Sequence, residues 1–307
     1  MKRSLFLAGM LLPALTYAQN TDSSVRGKFI TTAPRLGGIT VTDLVTPVKA
    51  NGNVFTMQAP VVDIGIPLYK DLSPEHATVV KTGIRYEGLF LSNEKNIGGS
   101  SFHSLTVPLL YSYSLTRTTS LSLIGLATVA SDFKRTIEGE DIQYMAGVRV
   151  GFRPGKTLRW GITLTYVSNY SGRFLLPIPD IDWTISPKWS LTGVVPARAS
   201  LKYALSRTQS LGATVGFTGS MYRLNDGERG QYLHFRQNSG GLLYERRLGQ
   251  RWKFTLLAGH TFMQRLGTFN IGQKVSFDRF DKLNDRVPNV SYRQNSFVFQ
   301  GGLSWQF

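Results

Sequence analysis

Five stretches of this chain alternate apolar side chains with mostly polar or small ones, the longer ones for 10 to 12 residues. A period of two puts neighbouring side chains on opposite faces, so it specifies β-strands whose two faces meet different surroundings. Leu105, Val107, Leu109, Tyr111, Tyr113 and Leu115 interleave with Ser104, Thr106, Pro108, Leu110, Ser112 and Ser114. Ile142, Tyr144, Ala146, Val148, Val150 and Phe152 interleave with Gln143, Met145, Gly147, Arg149, Gly151 and Arg153. The same pattern runs through 157–166, 211–218 and 252–259, while the i, i+3, i+4, i+7 spacing of an amphipathic helix is almost absent.

A soluble β-sandwich also alternates, and three details favour a membrane barrel over it. Soluble strands are usually about 5 or 6 residues long, whereas a tilted strand needs about 9 to 11 to cross a bilayer. Aromatics gather at the ends of the apolar stripes (Tyr111, Tyr113, Phe152, Trp160, Tyr166 and Trp252), as girdles at the two membrane interfaces would. The opposite stripe carries Ser, Thr, Gly and Arg, which suits a polar interior better than a second packed sheet.

The N-terminus supplies the compartment. Met1-Lys2-Arg3, an apolar core from Leu5 to Leu15 and Thr16-Tyr17-Ala18 before Gln19 have the three regions of a secretory signal peptide, with cleavage expected after Ala18. Residues 19–307 then form one barrel domain, in which 19–50 serves as a periplasmic segment, a plug or the first strand. No later stretch supplies the 18 or more continuous apolar residues of a spanning helix.

Charge and cysteine content exclude other classes. The net charge of +16 invites a nucleic-acid reading, but Lys and Arg are scattered singly, often beside acids as in Asp278-Arg279-Phe280-Asp281-Lys282, with no recognisable nucleic-acid module. Removing the signal peptide leaves +14, because 1–18 holds two basic residues and no acidic one. With no cysteine, the chain has no thiol nucleophile, no thiolate metal site, no disulfide and no lipid-modified N-terminal cysteine.

Short and long connections alternate along the chain. Tight turns are expected at 116–118, 154–156, 206–208 and 248–250, and longer polar segments at 92–101, 132–141, 222–231 and 264–295. In outer-membrane barrels the short turns are periplasmic and the long loops extracellular. A last strand at 296–307 descending to the periplasm puts every short turn on that side. Counting back predicts an antiparallel up-and-down barrel of about 14 strands, with 12 as the alternative. The undecided segment is 169–197: it holds either one loop or a strand pair at 173–185 and 188–196 turned at Ser186-Pro187-Lys188. Length favours the pair, whereas Pro177, Pro179 and Pro196 weigh against it, since proline cannot donate to a ladder.

The chain ends on Ser296-Phe297-Val298-Phe299-Gln300-Gly301-Gly302-Leu303-Ser304-Trp305-Gln306-Phe307. Polar Gln300, then Gly302, Trp305 and a terminal Phe307 resemble the assembly signal that the barrel-insertion machinery reads on outer-membrane barrels. Strand addition is its physical basis: an exposed edge pairs by main-chain hydrogen bonds while alternate aromatic side chains fill pockets. A narrower resemblance rests on Leu175-Leu176-Pro177-Ile178-Pro179-Asp180-Ile181-Asp182-Trp183, Trp189-Ser190-Leu191, Pro196 and Leu201 to Tyr203. These look like a family of predicted outer-membrane barrels known as a domain of unknown function. The resemblance implies the barrel and brings no activity.

Catalytic chemistry is hard to find. Outer-membrane lipid hydrolases carry His and Ser two apart on one strand face, where the His can take the Ser proton. None of His76, His103, His234 and His260 is followed by Ser at that spacing; only Ser101 precedes His103, in the reverse order. Gly98-Gly99 and Gly240-Gly241 have no following helix to complete a phosphate cradle. No metal site or cofactor is legible. Asp180 and Asp182 share a face and are expected to meet inward Arg149, Arg153 and Arg159, with Lys81, Arg85 and Glu87 completing a mixed-charge lining. Such a lining either selects solutes or fills the lumen as an ion-pair network. The reading is therefore a passive channel or transport barrel for small polar solutes. Its expected partners are outer-membrane lipids, lipopolysaccharide and the assembly machinery. A structural or surface-interaction barrel is the alternative, and a lipid hydrolase a third reading.

Overall fold

A computed structural model describes residues 37–50, 52–73, 76–97, 99–225, 230–274 and 286–306. The expected signal peptide at 1–18, residues 19–36 and Phe307 lie outside the described residues. The first half of the wall is β1 Gly38–Ala50, β2 Asn53–Asp71, β3 Thr78–Ser92, β4 Ser101–Ser114, β5 Thr119–Ser131, β6 Ile142–Phe152 and β7 Leu158–Asn169. The second is β8 Gly172–Thr184, β9 Trp189–Val194, β10 Arg198–Ala204, β11 Gln209–Leu224, β12 Gln231–Leu248, β13 Trp252–Asn270, β14 Val290–Gln294 and β15 Phe297–Gln306. Each strand pairs antiparallel with its neighbour, and β1 closes the ring on β15 from Gly38↔Gln306 to Val45↔Phe299. β14 and β15 both pair with β13, at Gln264–Thr268 and Trp252–His260, and are two pieces of one wall strand. The result is a closed antiparallel barrel of 14 strand positions. The loop expected at 264–295 is shorter than the sequence suggests, because β13 runs on to Asn270 and β14 begins at Val290.

Facing follows the alternation. Val107, Leu109, Leu123, Val148, Ile162, Leu164, Val215 and Leu256 are exposed on the outer surface, where a soluble protein would not leave a continuous apolar belt. All five tryptophans (Trp160, Trp183, Trp189, Trp252 and Trp305) lie at the short-turn ends of their strands. There Trp160 packs tilted against Phe152 at 4.6 Å, Trp189 against Tyr203 at 5.0 Å and Trp252 against Trp305 at 6.3 Å between ring centroids. One interfacial girdle is thus explicit.

The undecided segment 169–197 holds the strand pair, β8 and β9, turned where Ile185 N–H and Ser186 N–H donate to the Trp189 carbonyl. Its prolines fit because β9 and β10 are short. β9 ends at Val194, level with Asp180, and Val195 N–H donates to the Pro179 carbonyl at 2.9 Å. Pro179, and with it Pro177, therefore points its main-chain groups toward the β9 side, just where that strand stops.

Candidate functional site

The strands place the expected lumen residues on the inner face, but pair them selectively. Arg149 on β6 lies flat along the wall and binds Asp180 on β8 through both Nε and Nη2, at 2.7 Å each. The pair is buried, with side-chain exposures of 12% and 8%. Gly151 and Gly161 make the seat for it: a Cβ on Gly161 would stand 2.6 Å from Arg149 Nη2, and one on Gly151 would overlap Nη1. Arg159 sits directly opposite Asp182 in the ladder, and Arg153 lies just past the end of β6, where its N–H donates to the Thr118 carbonyl. Arg85 and Glu87 pair with each other at 2.5 Å, and Lys81 is buried below them on β3. A triad absent from the sequence expectation completes the lining: Glu245 on β12 receives Lys202 from β10 at 3.0 Å and Lys253 from β13 at 2.9 Å.

Two contacts cross the lumen. Arg198 Nη2 on β10 reaches Gln300 Oε1 on β15 at 3.5 Å, and Ser220 Oγ on β11 donates to Glu87 Oε2 on β3 at 3.1 Å. Of the residues singled out at the C-terminus, Gln300 therefore faces inward. Gly302 keeps the wall thin beside Thr42, whose Cγ2 would be 2.9 Å from an added Cβ, and Trp305 belongs to the outer girdle.

At the long-loop end the interior changes character. Val48, Phe55, Met57, Leu89, Leu91, Ile97, Phe102, Ala130, Tyr222, Leu224, Leu233, Phe235, Leu266 and Tyr292 form one buried cluster across the mouth. It is enclosed because β11 leaves the β10 side and meets β5 directly, Arg223↔Ser131. Asp132 N–H donates to the Arg223 carbonyl at 3.2 Å, and Asn225 Nδ2 donates to Ser131 Oγ at 2.7 Å. The wide ring thereby narrows to a collar of nine wall positions (β1–β5, β11–β13 and the last strand) with a packed apolar core. The tips of β6, β7 and β8 fold against the collar's outside: Arg223 Nε meets Asp141 at 3.2 Å, and Tyr170 donates its hydroxyl to the Asp141 carbonyl at 2.9 Å.

Sequence reading missed the collar, although a local signal exists. At Tyr232-Leu233-His234-Phe235 on β12 and Leu89-Phe90-Leu91 on β3 the alternation lapses and both faces turn apolar or aromatic. Tyr232 to Phe235 are all buried. The histidines take structural positions: Tyr86 Oη lies 2.8 Å from His103 Nδ1 on the outer face, and His260 packs edge-on to Phe297. Among the described residues, no group of three or more His, Cys, Asp or Glu stands close enough to hold a metal ion.

Comparison with known proteins places this sequence in a family. A family model described as "Domain of unknown function (DUF6268)" matches residues 49–306, so the chain belongs to that family. No curated protein is matched by the sequence. Among solved structures, a KdgM porin aligns over 88% of this chain and 99% of its own at 8% identity, with a TM-score of 0.37. A NanC porin aligns over 88% and 100% at 9% identity with a TM-score of 0.36. A TodX monoaromatic hydrocarbon channel deltaS2 mutant aligns over 88% and 90% at 7% identity with a TM-score of 0.37.

Proposed function

We propose that this member of the DUF6268 family is a transport barrel of the bacterial outer membrane. Its polar lumen passes small polar solutes, and its loop-side mouth is gated by the apolar collar. The observation that carries this reading is the order of the lining along the axis. Mixed charges (Arg149 with Asp180, Glu245 with Lys202 and Lys253, Arg85 with Glu87) occupy the lumen below a constriction built on Phe102, Tyr222 and Leu233. An apolar constriction above a polar path stops ions and water by dewetting and opens when its side chains part or become polar. Orientation with short turns in the periplasm places the collar at the cell surface.

Planar-bilayer recording tests this directly. The wild type is expected to show low or intermittent conductance, and the double variant Phe102→Ser/Leu233→Ser a larger and steadier one. If the folded double variant conducts no more than the wild type, and neither passes current, the transport reading fails. The sealed collar would then favour a structural or surface-interaction barrel.

A further inference from the structure

The wall is interrupted above the β9–β10 hairpin. β9 and β10 reach only Val194 and Arg198, level with Asp180 on β8 and Gly216 on β11, while β8 continues up to Gly172 and β11 to Leu224. Along that upper stretch β8 and β11 do not pair with each other. Strand alternation turns neighbours to opposite faces, yet three consecutive residues are exposed on each side, Leu175–Pro177 and Phe217–Gly219. Both jambs are therefore open on the inner as well as the outer face.

The interruption is finished as an edge rather than left raw. Open backbone groups are costly in a bilayer. On β8, Pro177 and Pro179 remove two of the donors that would face the missing strand. On β11, Phe217 N–H donates to the Ala197 carbonyl at 2.8 Å, the Met221 carbonyl accepts from Gln143 Nε2 at 3.1 Å, and the Arg223 carbonyl accepts from Asp132. Gly219 remains at the opening, with no side chain to fill it. The opening is level with Leu164 and Tyr166 on β7, both exposed on the membrane face.

Chemistry on the two sides is unequal. Leu176 and Ile178 break the polar inner stripe of β8 and face the lumen opposite Thr165 and Thr163, Leu176 being 39% exposed. Outside, a row runs directly across the strands from the jamb: Gly219↔Arg236, Arg236↔Arg265, Arg265↔Arg293. Gln237, Gln264 and Tyr292, their chain neighbours, are buried on the inner face, so the three guanidinium groups lie on the outer one. Arg236 also covers the ring of Phe217 at 5.9 Å. Like charges directly opposite one another are destabilising unless an anion lies between them.

We propose that the opening between β8 and β11 is a lateral portal for a membrane-borne amphiphile with an anionic head and an apolar chain. The arginine row gathers the head, and the chain enters past Phe217 to lie along Leu176 and Ile178. This goes beyond the axial passage of polar solutes and does not depend on the collar opening.

The absence of cysteine makes the test clean. Leu176→Cys and Thr218→Cys, each labelled with bimane, are folded into phosphatidylcholine vesicles carrying a nitroxide at carbon 5 of the acyl chain. Quenching is expected at both sites as for lipid-facing Leu164→Cys, and not at inward-facing Leu126→Cys on β5. Folding of each variant is checked by heat-modifiable migration. Quenching at both portal sites no greater than at Leu126→Cys overturns the portal. In unlabelled vesicles, 5-doxyl-stearate is expected to quench Leu176→Cys at about tenfold lower concentration than its uncharged methyl ester, and Arg236→Gln/Arg265→Gln to abolish that preference. Equal quenching by acid and ester overturns the assignment of the arginine row to the head.

Discussion

Removing the Asp180 carboxylate tests whether the lumen ion pair is a structural joint. Arg149 spends two hydrogen bonds of 2.7 Å on Asp180 and is almost wholly withdrawn from water, at 12% side-chain exposure. Breaking a buried pair from one side leaves an uncompensated charge and costs about 3–5 kcal/mol. The residual lumen access of Arg149 places Asp180→Ala at about 3 kcal/mol, the lower end of that range. The double substitution Arg149→Met/Asp180→Leu removes both charges and keeps volume, so it is expected within about 1 kcal/mol of the wild type. Urea titration of the barrel in phospholipid vesicles, followed by tryptophan fluorescence, reads both values, since Trp160 lies on β7 between the two partners and Trp183 on β8 with Asp180. Asp180→Ala costing under about 0.5 kcal/mol, or the double variant as unstable as the single, would refute the joint. Gly161→Val supplies an independent route to the same loss, because its side chain occupies the guanidinium's seat.

Further outcomes follow from the facing of particular residues. Val148→Arg puts a charge on the lipid face, where Val148 is 48% exposed, and should cost about 2–4 kcal/mol in the same titration. Gly147 is a poor control despite facing inward, since a Cβ there already meets Thr163 Cγ2 at 3.0 Å; Leu126→Arg, inward-facing on β5, should be tolerated better. Glu245→Gln should loosen Lys202 and Lys253 together and shift ion selectivity toward anions in bilayer recording of a conducting variant; unchanged selectivity would remove the triad from the conduction path. Deleting Phe307 should slow insertion into vesicles containing the assembly machinery, and an unaltered rate would show that the terminal aromatic is not read.

Facing and strand order were legible because they depend on a local rule: alternation on β4, β6 and β7 turns every second side chain outward, whatever the distant chain does. The mixed-charge lining was half legible for the same reason. Arg149 and Asp180 could be placed on the inner face, but the bidentate contact needed glycines 151 and 161 beneath the guanidinium, and the Glu245 triad joins three strands between positions 202 and 253. Pro177 and Pro179 counted against a strand in sequence. They proved compatible once β9 was seen to end beside them, since a missing donor costs little where no acceptor faces it.

By itself, the sequence determined a membrane-spanning barrel of about 14 strands, a polar interior and an aromatic girdle, all consequences of period two and of where the aromatics fall. Only the tertiary structure decided that a packed apolar cluster spans the mouth and that β8 and β11 part above the β9–β10 hairpin. Both depend on β11 meeting β5 across 92 residues of chain, Ser131 to Arg223, after the short β9–β10 hairpin withdraws from between β8 and β11. No local pattern encodes how far a neighbouring strand rises, so the collar and the portal exist only when the whole ring is assembled.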